Sequence, residues 1–212
     1  MVKIAPSILA ADPLNLERDV ERMMAAGADW IHVDVMDAHF VPNLAYTPAI
    51  VKRLKEIARI PLDVHLMMDQ PEKYLDTFLD AGADVLTIHA EISGDIGGML
   101  ERIRQRGRKS GLALKPGTGI ETAVPYLGQA DMILTMTVEP GFGGQKLNEA
   151  VPAKMAVLRE MGYRGEIEAD GGVQEGNLAG LIRQGLTVAV MGTALYRAEQ
   201  PAEMIRRLHG MG

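Results

Sequence analysis

Apolar residues along this chain fall into two alternating patterns: short dense or alternating runs, and longer stretches in which they recur three or four positions apart. Eight of the short runs read as strands: K-I-A-P-S-I-L, D-W-I-H-V-D-V, L-D-V-H-L-M, D-V-L-T-I-H-A, S-G-L-A-L-K-P, D-M-I-L-T-M-T-V, G-E-I-E-A-D and T-V-A-V-M-G. Between them, Leu16, Val20, Met23 and Met24 line one helix face, and Ile50, Val51, Leu54 and Ile57 line another. Strand then helix, repeated, produces parallel strands. The segment A-G-A-D-W-I-H-V recurs as A-G-A-D-V-L-T-I, with a fainter echo in R-Q-G-L-T-V-A-V. In each, a glycine (Gly27, Gly82, Gly185) is placed to end a helix in the left-handed conformation. Eight such units in 212 residues predict an α/β fold, a (β/α)8 TIM barrel forming a single domain over residues 1–212, near the lower size limit for that fold. An open doubly wound sheet is the alternative, and the even spacing of the units favours closure.

Strand periodicity then sorts the polar residues. Trp30, His32, Asp34 and Met36 share one face of their strand, while Ile31, Val33 and Val35 share the other. Asp63, His65 and Met67 repeat the arrangement. In a barrel the site forms at the C-terminal ends of the strands, where Ser7, Asp34, His65 and Asp170 all fall. His32, Asp34, His65 and Asp170 make a two-histidine, two-carboxylate set suited to one divalent ion: zinc, iron, manganese or cobalt. Asp63 and Glu168 also point inward by parity and are expected to be hydrogen-bonded polar residues of the barrel. His39, His89 and His209 show no partner pattern and are expected at the surface or in packing.

Three glycine-bearing turns follow the last three strands: Gly141, Phe142, Gly143 and Gly144; Gly171 and Gly172; Gly192 with Thr193. Glycine lets backbone amides approach an anion closely, and the loops after the last strands of a barrel commonly hold phosphate. Tight turns alone are the plainer reading. Met36, Met67 and Met136 share the inward parity, either as packing residues or as an apolar collar that keeps water from a reactive centre.

Composition narrows the chemistry. The chain has no cysteine, which excludes disulfides, thiolate metal sites and cysteine nucleophiles. A net charge of −6 leaves no electrostatic footprint for nucleic acid or an anionic membrane surface. The N-terminal residues lack the regions of a signal peptide and no stretch reaches membrane-span length, so a cytoplasmic, unprocessed protein is expected. A divalent cation, two carboxylates from opposite sides of the barrel and an anion grip point to proton abstraction beside a carbonyl. The ene-diolate would be stabilised by the cation, with inversion if the carboxylates flank the carbon.

The runs P-S-I-L, H-V-D-V-M-D-A-H-F-V-P-N, P-L-D-V-H-L-M, M-T-V-E-P-G-F-G-G-Q, I-E-A-D-G-G and M-G-T-A-L, in order from Pro6 to Leu195, closely resemble the ribulose-phosphate 3-epimerase family. The resemblance implies a ribulose-phosphate-binding type of barrel with His32, Asp34, His65 and Asp170 as metal ligands. It makes Asp34 the proton acceptor and Asp170 the proton donor in one direction. Ser7 and His65 would contact substrate oxygens, and Gly141, Phe142, Gly143, Gly144, Gly171, Gly172, Gly192 and Thr193 would surround a phosphate. The implied reaction interconverts D-ribulose 5-phosphate and D-xylulose 5-phosphate, in the pentose phosphate pathway and the Calvin cycle, by a homo-oligomer (dimer or hexamer). The sequence departs from the family pattern at Ala38 (usually glycine), Ala10 (often serine), Ala169 (usually valine), Leu147 (usually aromatic) and Thr193 (more often serine). An epimerase of a six-carbon ketose phosphate such as D-allulose 6-phosphate shares the same motifs. A metal-dependent hydrolase and a barrel that binds without turnover are the readings from other classes.

Overall fold

In the computed structural model, which describes residues 1–212, all eight expected strands form: β1 (Lys3–Pro6), β2 (Ile31–Asp37), β4 (Leu62–Met67), β5 (Val85–His89), β6 (Lys109–Leu114), β7 (Met132–Met136), β8 (Glu166–Asp170) and β9 (Val188–Met191). A ninth, β3 (Leu44–Ala45), is a two-residue strand antiparallel to the end of β2. The sheet runs β1-β9-β8-β7-β6-β5-β4-β2, all parallel. It closes on itself where Ser7 bridges His32 and the backbone N–H of Asp29 donates to the Ile4 carbonyl at 2.9 Å.

The outer layer contains α1 (Leu16–Ala25), α2 (Pro48–Ile57), α3 (Leu75–Ala81), α4 (Ile96–Gln105), α5 (Pro152–Glu160), α6 (Glu175–Arg183), α7 (Thr193–Tyr196) and α8 (Pro201–His209). The connection from β6 to β7 departs from the expected repeat, since two 3₁₀ turns (Ile120–Thr122 and Val124–Tyr126) stand where a helix would lie. Pro116, Gly117, Gly119 and Pro125 explain this, because proline and glycine both disfavour a continuous helix there. Lys154 on α5 fastens the start of that connection, its Nζ donating to the carbonyls of Lys115, Pro116 and Thr118 at 3.1, 2.7 and 2.6 Å. The glycines expected to end helices do so with positive φ: 94° at Gly27, 108° at Gly82 and 104° at Gly185.

Alternation along the strands divides the interior into two parts. Ile31, Val33 and Val35 point outward into the main apolar core between strands and helices. Inward-facing residues stack in layers inside the barrel. Ala5, Trp30, Val85, Met132, Val188 and Val190 form the lowest, apolar layer, with the Lys3 and Lys109 ammoniums 5.5 and 5.7 Å from the Trp30 ring centre. His32, Asp63 and Glu168 come next, all fully buried. Parallel pairing of β2 with β4 sets His32 beside Asp63 and, one layer higher, Asp34 beside His65. Asp34 and Asp170 lie three strands apart round the ring, one short of diametric opposition.

Candidate active site

At the top of the barrel the strand ends bring His32, Asp34, His65 and Asp170 together, with one ligand-type atom from each lying within 4.8 Å of the others. His32 Nε2 is 3.2 Å and His65 Nδ1 3.4 Å from Asp34 Oδ1; both nitrogens are 4.0 Å from Asp170 Oδ2. Ligands about 2.0–2.2 Å from a tetrahedral ion are themselves about 3.3–3.6 Å apart, so the spacing suits a small divalent cation. His65 Nδ1 is buried and forms no hydrogen bond. A buried ring nitrogen without a hydrogen-bond partner, facing two carboxylates and a second imidazole, is what such an ion would satisfy.

Three of the four residues of the centre are held from behind. Ser7 Oγ donates to Asp34 Oδ2 at 2.7 Å. His32 Nδ1 lies 2.6 Å from Asp63 Oδ2, turning Nε2 toward the centre. His65 Nε2 meets His89 Nε2 at 2.8 Å, and His89 Nδ1 meets Glu91 Oε2 at 2.9 Å. His89 is therefore more than a packing residue: it is fully buried and bonded to a residue of the centre. Parity counted from Val85 places His89 inward at the end of β5, the signal that would have found it. Of the other two histidines, His39 is exposed beside Asp37, and His209 Nε2 lies 2.7 Å from Asp29 Oδ2. Asp63 is hydrogen-bonded as expected, but Glu168 is not: neither of its buried carboxyl oxygens has a hydrogen-bond partner. Parity predicts the direction of a side chain, not whether a donor will be there to meet it.

Electrostatics separate the two aspartates. Burial would raise Asp34, yet the His32 and His65 imidazoles hold it far below the ordinary carboxylate range. Burial, and then the Asp34 carboxylate, lift Asp170 to about 6. Burial opposes charge on His32, but Asp34 and Asp63 push its pKa well above the usual value. Burial, seconded by Asp63, pushes Glu168 well up and favours its uncharged form. His89 is lowered to about 4 by burial. Glu91 falls to about 2 because hydrogen bonds, first from His89, outweigh the opposing effect of burial.

Above the four residues opens a cavity of about 1230 Å³. Ser7, Asp34, Asp170 and the three methionines Met36, Met67 and Met136 line it, as do Gly141, Phe142, Gly143, Gly144, Gly171, Gly172, Gly192 and Thr193. His32 and His65 are fully buried and do not reach the cavity wall. The glycine turns press on one another. A Cβ at Gly171 (φ 115°) would lie 2.3 Å from Val138 Cγ2, and one at Gly172 (φ 64°) would lie 2.3 Å from the Leu147 backbone nitrogen. Lys146 and Arg197 also line the cavity. They supply cationic side chains that sequence pattern did not single out, since each stands outside the glycine motifs. Ala10 touches the Gly192 turn, 3.2 Å from where a Cβ would project, and Ala38 adopts a φ of 61°.

A closed parallel barrel with a buried imidazole–carboxylate centre beneath a glycine-walled cavity defines the class: an α/β-barrel enzyme. Solved structures agree on the fold. KGPDC from Streptococcus mutans superposes with a TM-score of 0.73 at 14% identity, over 100% of this chain and 97% of that one. Orotidine 5'-phosphate decarboxylase from Pyrococcus horikoshii OT3 does so with 0.73 at 14%, over 98% of both chains. Sequence comparison narrows the class, because the model of the ribulose-phosphate 3-epimerase family matches residues 3–196. The chain is 38% identical to the ribulose-phosphate 3-epimerase of Bacillus subtilis (strain 168), over 99% of both chains. It is 44% identical to that of Rhodobacter capsulatus, over 92% of this chain and 86% of the relative. The chain belongs to the ribulose-phosphate 3-epimerase family, and it is an epimerase.

Proposed function

We propose that this protein is a metal-dependent epimerase that interconverts D-ribulose 5-phosphate and D-xylulose 5-phosphate at carbon 3. The observation that carries the reading is geometric: Asp34 and Asp170, from strands three apart round the barrel, converge with His32 and His65 in one cluster at the foot of the glycine-walled cavity. Environments that push two like groups apart assign a base and an acid. Asp34 takes the carbon 3 proton from one face, and Asp170, which would ligate through one oxygen and carry a proton on the other, returns that proton to the opposite face of the resulting ene-diolate. The reverse reaction exchanges their roles. Ser7 holds Asp34 Oδ2 and so sets the direction from which the base approaches. His32, Asp34, His65 and Asp170 would hold a divalent ion (zinc, iron, manganese or cobalt), which when bound supplies Lewis-acid stabilisation of charge on the substrate oxygens. Met36, Met67 and Met136 keep water from the reacting carbon. Gly141, Phe142, Gly143, Gly144, Gly171, Gly172, Gly192 and Thr193 surround the phosphate, and Ser7, which lines the cavity, is placed to contact a substrate oxygen, while His65, buried beneath the wall, would hold the ion.

The rest of the assignment follows the same reading: residues 1–212 act as one domain in a homo-oligomer, dimer or hexamer, of the cytoplasm. No helix is long and apolar enough to cross a membrane. Incubation of ribulose 5-phosphate with the enzyme in deuterated water tests the chemistry. Deuterium is expected at carbon 3 of the xylulose 5-phosphate formed, and a chelator is expected to stop the reaction. Activity indifferent to chelation, or faster turnover of D-allulose 6-phosphate, would overturn the assignment.

A further inference from the structure

Two histidines of the centre present different ring nitrogens to it, and this needs opposite tautomers. For His32 the matter is local, since Nδ1–H donates to Asp63 at 2.6 Å, which leaves Nε2, 3.2 Å from Asp34 Oδ1, as the nitrogen available to an ion. For His65 the nitrogen facing the centre is Nδ1, so the ring must carry its proton on Nε2. The only hydrogen-bonding neighbour of that nitrogen is another imidazole, which accepts or donates equally well. His89 by itself therefore settles nothing.

The direction is settled further out. Glu91 Oε2 faces His89 Nδ1 at 2.9 Å, while Oε1 accepts from the Lys115 backbone N–H at 2.7 Å. A backbone N–H is a fixed donor, and Lys154 clamps the carbonyls of Lys115 and its neighbours. A carboxylate accepts at both oxygens, which obliges His89 Nδ1 to donate. His89 is fully buried and meets one carboxylate, at Nδ1; as a neutral ring it then accepts at Nε2, and His65 Nε2–H donates to it.

We infer that Glu91, through His89, is a positioning residue that fixes the tautomer of His65 and so keeps the His65 Nδ1 lone pair facing the centre. This rests on the reading of His65 as a metal ligand. Glutamine at 91 has nearly the same shape but reverses the line. Its oxygen must meet the Lys115 N–H, its NH₂ then donates to His89 Nδ1, His89 Nε2–H donates to His65 Nε2, and the His65 proton is left on Nδ1, where it blocks ligation.

Nitrogen-15 NMR of the imidazoles in chelator-stripped protein tests this without turnover. Wild-type His65 is expected to be protonated on Nε2, and E91Q to move that proton to Nδ1. Calorimetric titration with cobalt(II) is expected to show affinity ten- to a hundredfold weaker in E91Q, the range typical when a partner orienting a ligand is lost. Wild-type His65 protonated on Nδ1 would overturn the inference whether or not the variant folds. So would an unchanged tautomer with unchanged cobalt affinity in folded E91Q. Failure of the wild type to take up cobalt would count against the metal reading alone, because the tautomers are read in its absence.

Discussion

The β2–β4 side of the centre and the β7–β9 side hold their residues in contrasting ways. On the first, His32, Asp34 and His65 are buried almost completely and each is bonded from behind, by Asp63, Ser7 and His89 respectively. On the second, Asp170 sits at the foot of an open cavity, and the side-chain nitrogens nearest it are the two imidazoles at 4.0 Å. Around it stand glycine turns that are held at their carbonyls, Gly141 by Asn43, Phe142 by Gln145, Gly172 by Asn177 and Gly171 by Thr137, with no such bond to the Asp170 carboxylate itself. One side is built as a rigid set of ligands and the other leaves room for something to enter. The difference separates the two aspartates electrostatically: the imidazoles 3.2 and 3.4 Å from Asp34 favour its charged form against burial, whereas burial and the like charge of Asp34 dominate at Asp170.

Substituting each aspartate by asparagine should break the comparison most visibly. Both D34N and D170N should lower kcat by about 10²–10⁴-fold, the usual contribution of a positioned acid or base. Their thermal stabilities should diverge. D34N removes the carboxylate that faces both buried imidazoles and should lower the unfolding temperature; D170N removes a carboxylate held against a like charge and should leave it unchanged or raise it. Near-normal turnover in either variant would sink the two-carboxylate scheme, and equal destabilisation would erase the contrast between the sides.

Acidity offers a milder probe. A cation must find Asp170 as the carboxylate, and a group of pKa about 6 is increasingly protonated below that pH. Cation affinity, followed calorimetrically from pH 8 to pH 5, should therefore fall on acidification and steepen by a further tenfold per unit below about pH 6. Asp34 stays ionised over this range and adds no step. An affinity that does not steepen there would mean that Asp170 is already ionised and that the two carboxylates are alike.

The rigid side was the more legible in the sequence, for a physical reason. A strand with one face in the core must alternate, so H-V-D and D-V-H could be read as inward ligands before any coordinates, and all eight strands followed from the same rule. The β6–β7 connection did not follow, because repetition of a unit argues for a helix where Pro116, Gly117, Gly119 and Pro125 forbid one. His89 and Glu91 were missed because their importance lies in which atom meets which. Spacing gives the face a side chain occupies, but the link from Lys115 N–H through Glu91 and His89 to His65 joins residues brought together by three neighbouring strands. Glu168 failed in the opposite sense, with its direction legible and its lack of partners not.

The smallest effect tests whether the rigid side carries strain of its own. Ala38 holds a φ of 61° at the end of β2, a conformation in which a Cβ crowds the backbone. The turn keeps it there. Asp37 Oδ1 accepts from the N–H groups of His39 and Phe40, Asp37 Oδ2 accepts from that of Asp69, and the Ala38 N–H donates to the Asn43 carbonyl. Glycine would adopt the same φ without the steric cost, although its unfolded chain has more freedom to lose. The balance at positive φ favours glycine by about 1 kcal/mol, so A38G should raise the unfolding temperature by about 2–4 °C for a chain of this size. Because Asp37 and not residue 38 makes the bonds of the turn, kcat should hardly change. A lower unfolding temperature in A38G would mean that the methyl group packs favourably and that the turn stores no strain. A higher one with unaltered turnover would show that the ligand-bearing side tolerates strain beside the centre without passing it on to Asp34.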